Sequence, residues 1–150
     1  MSAFISALGA RSPVGLNAEQ TAMGIRFSHL APRPTRFRDS FEQQVAMSLL
    51  SALPPELEGI ERMVALAVPA LSECLAMDRL STSATAQSRP IVLLGCPAPR
   101  PGFAASDAGK LLAAIVGEAR IDACPDRSAA FAVGHAGFAV ALERALKELP

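Results

Sequence analysis

The feature that most restricts what this chain can fold into is an alternation: short apolar runs, broken by glycine or proline, give way to stretches whose apolar residues recur at helical spacing. Ile91-Val92-Leu93-Leu94-Gly95-Cys96 is a continuous apolar run of the kind found in strands buried on both faces. Ala129-Ala130-Phe131-Ala132-Val133 is a second such run, broken by Gly134. Between them, Pro97, Pro99 and Pro101 predict an extended loop, and Ser106 or Asp107 is placed to cap a helix whose Leu111, Leu112, Ile115 and Ala119 face inward. Beyond Gly134, Phe138, Leu142, Ala145 and Leu149 form one inward stripe of a final helix, with Glu143 and Lys147 as an i, i+4 pair on its wet side.

The first half follows the same logic less clearly. Phe4 to Leu8 reads as a strand ended by Gly9, followed by a turn at Ser12-Pro13-Val14-Gly15 and a helix capped by Asn17 and running to about Arg26. The two closely spaced prolines, Pro32 and Pro34, predict a loop from Ser28 to Ser40, made basic and exposed by Arg33, Arg36 and Arg38. Gln43 to Leu50 is either a strand or an irregular lead into Pro54-Pro55. The second of those prolines suits the first turn of a helix, with Glu56 and Glu58 near its positive end. Ile60, Val64, Ala67, Leu71 and Cys74 then mark one face of a mostly buried helix that Pro69 should bend. Ser81 to Arg89 reads as a polar linker. The order of strands and helices predicts an α/β fold, layered around a mostly parallel sheet, with residues 1–150 as one domain.

Composition narrows the function. A chain that is 51% hydrophobic and 19% charged is not disordered along its whole length. Fourteen basic residues against fourteen acidic ones leave no overall positive field for nucleic acid or an anionic membrane. Net neutrality with high apolar content instead favours self-association or a standing complex with a protein partner. The longest apolar stretches, such as Met63 to Leu71, fall short of the roughly 18 residues that a membrane span needs. No basic residue precedes the short apolar run at the N-terminus, as a secretory signal would require, so a cytoplasmic address is expected. Cys74, Cys96 and Cys124 are odd in number and widely spaced, with two histidines in the chain, which argues for free thiols rather than disulfides or a zinc site. No phosphate-binding, dinucleotide-binding or HExxH motif is present, so no cofactor or metal is expected.

Two segments carry a family resemblance. Ile5-Ser6-Ala7-Leu8-Gly9-Ala10-Arg11-Ser12-Pro13-Val14-Gly15 resembles the opening "ITGLGAxTPxG" of ketoacyl synthases. Val133-Gly134-His135-Ala136-Gly137-Phe138-Ala139-Val140-Ala141-Leu142 looks like their "TACxSGLxAL" segment, in which a strand delivers the nucleophilic cysteine to a buried helix. His135 falls on the cysteine position. The resemblance spans nearly the whole chain and is specific at its two ends; it implies the N-terminal half of a thiolase-like fold. Family chemistry needs a thiolate that holds the acyl group as a thioester, and an imidazole cannot do so; at most it serves as a base or polarises a carbonyl. The family's other catalytic groups belong to a C-terminal half without a counterpart here. His29, in the first loop, does not match them, and Cys124 precedes the last strand rather than the last helix.

The resemblance therefore implies a non-catalytic, thiolase-like scaffold that pairs with itself or binds another protein. Truncated, cysteine-free chains of this appearance look similar to accessory proteins of bacterial type VI secretion loci, where an adaptor or co-chaperone helps to load an effector. Arg33, Arg36 and Arg38 are then candidates for meeting an acidic partner. The alternative is an acyl-transfer enzyme that uses His135, or the non-catalytic subunit of a ketosynthase heterodimer, and either requires a pocket at His135 open to an acyl chain.

Overall fold

The computed structural model describes residues 5–27, 32–81 and 89–148. His29, Phe4, Leu149 and most of the expected linker lie outside the described residues. The order is α1 (Ala18–Arg26), β1 (Arg33–Arg38), β2 (Gln44–Met47), α2 (Gly59–Ser81), β3 (Leu93–Gly95), α3 (Asp107–Glu118), β4 (Ala129–Phe131) and α4 (Gly137–Glu148), with a 3-10 turn at Gly134–Ala136. The chain is thus mixed helix and strand, as expected.

The described strands do not form one mostly parallel sheet. They form two sheets of two strands each: an antiparallel pair β1–β2 and a parallel pair β3–β4. The parallel pair is the βαβ unit anticipated from the two apolar runs, with Leu93, Leu94 and Gly95 opposite Ala129, Ala130 and Phe131. Successive side chains of a strand point to opposite faces. Leu94 and Ala130 accordingly pack with α2 and α3, while Gly95 lies against α4. The core consists of Val64 from α2, Leu111, Ile115 and Ala108 from α3, Cys96 at the end of β3, and Phe103. Ile60, Ala67 and Leu71 pack against it, confirming the expected inward face of α2, and Pro69 sits inside that helix.

Phe103, 2% exposed, comes from the segment expected to be an extended loop. That segment turns back on itself instead. Arg100 and Phe103 exchange backbone hydrogen bonds of 2.9 Å in both directions, and Gly102 adopts a φ of 84°. Proline followed by a left-handed glycine is the requirement of a type II turn, and Pro101-Gly102 supplies it. Asp107 then starts α3: its Oδ2 accepts from the Ala104 N–H at 2.8 Å.

Three further expectations are corrected. Residues 5–10 form no strand, and Ile5 and Leu8 are exposed; the end of the segment is pressed against α2, where a Cβ on Gly9 would lie 1.8 Å from the Ala70 carbonyl oxygen. Glu73 of α2 holds it there, accepting from the Ala10 N–H at 3.0 Å and the Ala18 N–H at 2.9 Å. The helix expected near Pro55 begins four residues later, at Gly59. The basic loop is strand β1, and its prolines are tolerated because a two-stranded hairpin consists of edge strands only. By contrast, the Asn17 cap is as expected, its side chain accepting from the Gln20 N–H at 2.7 Å.

Candidate interaction surface

His135 lies in the 3-10 turn between β4 and α4. Gly134 makes that turn possible with a φ of 65°, and its N–H donates to the Cys96 carbonyl at 3.0 Å. The His135 side chain is exposed and has no hydrogen-bond partner among the described residues. It lines none of the four surface depressions described below. Cys96, whose carbonyl meets this turn, is buried, and burial pushes its thiol pKa up, away from the thiolate that nucleophilic chemistry needs. Among the described residues no group of three or more histidine, cysteine or carboxylate side chains is placed to hold a metal ion. No helix of the described residues is long and apolar enough to cross a membrane.

The three arginines of β1 are all exposed but do not converge. Arg36 lies 3.6 Å from the Glu58 carboxylate and places its guanidinium carbon 5.5 Å from the centre of the Phe37 ring. Arg38 turns back to the hairpin and donates to the Glu42 carbonyl at 2.6 Å. Asp39 fixes that turn, its Oδ1 accepting from the Phe41 and Gln43 N–H groups at 2.8 and 3.0 Å. Arg33, at the other end of the strand, joins Arg62 of α2 around a depression of about 410 Å³ floored by Val14, Leu49 and Leu50. A second depression of about 460 Å³ runs along the hairpin, between Phe37, Met47 and Leu57, with Arg36, Glu58 and Arg62 at its rim. The hairpin is therefore a mixed basic and aromatic surface rather than a purely cationic one.

The largest departure from expectation is α4. Of the stripe expected to face inward, Phe138 is 75% and Leu142 46% exposed, Ala145 is half-buried and Leu149 lies outside the described residues; Leu146, beside that stripe, is 52% exposed. The helix instead rests on the sheet through its small residues, Gly137 and Ala141. Successive residues of a helix are about 100° apart, so residues 137 and 141 occupy a different side from 138, 142 and 146. Charged pairs cover the rest: Lys147 to Glu143 at 2.6 Å, Arg144 to Glu148 at 2.6 Å, and Arg127 to Glu148. Periodicity located this stripe, but it cannot say which of two apolar faces meets the sheet. A glycine and an alanine one position before Phe138 and Leu142 were the available signal, because small residues permit close helix–sheet approach.

No family model, curated protein or solved structure matches this chain.

Proposed function

We propose that this protein is a non-catalytic scaffold that binds another protein, with a thiolase-like half-fold as its architecture and a cytoplasmic address. The observation that supports it best is the row of Phe138, Leu142 and Leu146 on α4, three large apolar side chains one helical turn apart and without cover. An amphipathic helix with its large apolar face outward, bordered by ordered charge pairs, is a surface suited to burial against a partner. The exposed hairpin side chains Phe41 and Phe37, with Arg36 beside them, provide a second contact of the aromatic and arginine composition favoured at interfaces. The particular role proposed is that of an accessory adaptor or co-chaperone in the loading of an effector for type VI secretion. It draws on the sequence resemblance and on the lack of a thiol at position 135.

Affinity purification from the native host of the wild-type chain and of a Phe138→Ser/Leu142→Ser variant tests this. A stoichiometric effector or secretion component held by the wild type and lost by the folded variant is the expected result. An acyl carrier protein or an intact ketosynthase in its place would overturn it in favour of acyl metabolism.

A further inference from the structure

We infer that the open edge of β3 is the docking site for an extended, acidic segment of a partner protein; the inference rests on the scaffold reading and adds where a partner's chain enters. The Val92 carbonyl accepts from the Ala129 N–H at 3.0 Å, and the Cys96 N–H donates to the Phe131 carbonyl at 2.8 Å. In a parallel ladder alternate residues turn their N–H and C=O to opposite sides. Leu93 and Gly95 therefore aim both groups away from β4, toward an edge that no described residue pairs. Such an edge is a template for an added strand.

The space beside that edge has the shape for one. A depression of about 520 Å³ lies between Gly9 to Arg11, α2 and the end of β3. A neighbour of about 640 Å³ shares Met63, Leu66 and Arg100 with it and continues to Gly59. From Gly59 to Ala70 the groove follows about 16 Å of helix, the length of about five extended residues.

Its charge selects the occupant. Arg11 keeps its Nε buried with no hydrogen-bond partner, and the Arg100 side chain has neither a hydrogen bond nor an ion pair among the described residues. The Arg62 side chain, at the far end, donates to the carbonyls of Pro54 and Leu57 and pairs with no carboxylate among the described residues. Glu73, which holds the adjacent Ala10 amide, is already engaged by that amide and by the Ala18 amide. A buried guanidinium N–H without an acceptor is costly, and a carboxylate supplied from outside relieves it. Strand pairing with Leu93 and Gly95, apolar contact with Met63 and Leu66, and carboxylates on Arg11 and Arg100 together define an extended segment in which acidic and apolar residues alternate.

The test is amide NMR of the full ¹⁵N-labelled chain titrated with an eight-residue peptide alternating glutamate and valine, and with the same peptide carrying lysine for glutamate. Expected are shifts at the Leu93 and Gly95 amides with the acidic peptide alone, and affinity weakened about tenfold or more by Arg100→Gln or Arg11→Gln, as the loss of a charge-assisted contact predicts. Arg100 is exposed, so Arg100→Gln keeps the experiment decisive if Arg11→Gln disturbs folding. Absence of shifts at those two amides, equal binding of the lysine peptide, or indifference to Arg100→Gln overturns the site. Concentration-dependent shifts of the same amides without peptide would also overturn it, in favour of a second copy of this chain. A host partner captured by the scaffold experiment but unaffected by Arg100→Gln would reject this edge and leave the scaffold reading standing.

Discussion

Gly95 and Gly137 meet backbone to backbone: a Cβ on Gly95 would lie 2.8 Å from the Gly137 carbonyl carbon, and one on Gly137 would lie 3.0 Å from Gly95 Cα. The β3–α4 contact therefore depends on neither residue having a side chain. Gly95→Ala should lower unfolding stability by about 1–3 kcal/mol, the usual cost of forcing extra volume into a packed contact. The urea midpoint of the purified variant measures this, and an unchanged midpoint would contradict the arrangement.

Glu73 joins the N-terminal segment to α2 through two backbone amides. Hydrogen bonds to a charged group contribute about 1.5–3 kcal/mol each, less when partly exposed to water. Glu73→Ala is expected to free residues 9–18 from α2 and to speed protease cleavage before α1, with cleavage within α3 unaffected. Uniform acceleration at all sites would instead show that the clasp stabilises the whole fold.

Carboxyl groups paired in the fold tie stability to pH. Hydrogen bonding from Arg127, with its charge and that of Arg144, holds the Glu148 carboxyl below its ordinary range. The Ala104 N–H, followed by Lys110, does the same to Asp107. A carboxyl whose folded pKa is depressed binds fewer protons folded than unfolded in acid. Its contribution is present above the unfolded carboxylate range and is lost as pH falls through the folded value. The melting temperature should therefore drop on acidification below about pH 4, and Glu148→Gln should make that drop shallower. A variant with the wild-type slope would show that Glu148 does not take part.

Cys96 is 2% exposed and its thiol is pushed up by burial, whereas Cys124 is half-buried. Alkylation by iodoacetamide at pH 8 should modify Cys96 last, and at the same rate as the others once urea has unfolded the chain. Mass mapping of the modified cysteines checks the order; early modification of Cys96 in the folded protein would refute the packing around Phe103.

What the sequence made legible is the C-terminal βαβ unit, and the reason is local. The Ile91 and Ala129 runs are short, uncharged and bounded by glycine or proline, and Leu111 and Ile115 recur at helical spacing, so period and boundary agree. The hairpin was missed because Pro32 and Pro34 signal a break from within the chain, while their tolerance depends on being at an edge, which is a tertiary fact. The Phe4 to Leu8 run has the composition of a strand, yet residues 5–8 pair with no described strand, and Ile5 and Leu8 are exposed. Of the candidate site, His135 and the three arginines were identifiable as unusual residues. Their separation was not, because it follows from Arg36 finding Glu58 and Arg38 finding the Glu42 carbonyl. Arg11 and Arg100 carry no signal at all in one dimension.

The Glu73 clasp also sets an order of events during synthesis. Residues 9–18 leave the ribosome well before their only described carboxylate partner, which follows 55 to 63 positions later. At about 5–20 residues per second the segment waits on the order of 3–12 seconds for that partner. Through that interval the Ala10 and Ala18 amides have no α2 carboxylate to donate to, so the placement of this stretch waits on a helix made after it.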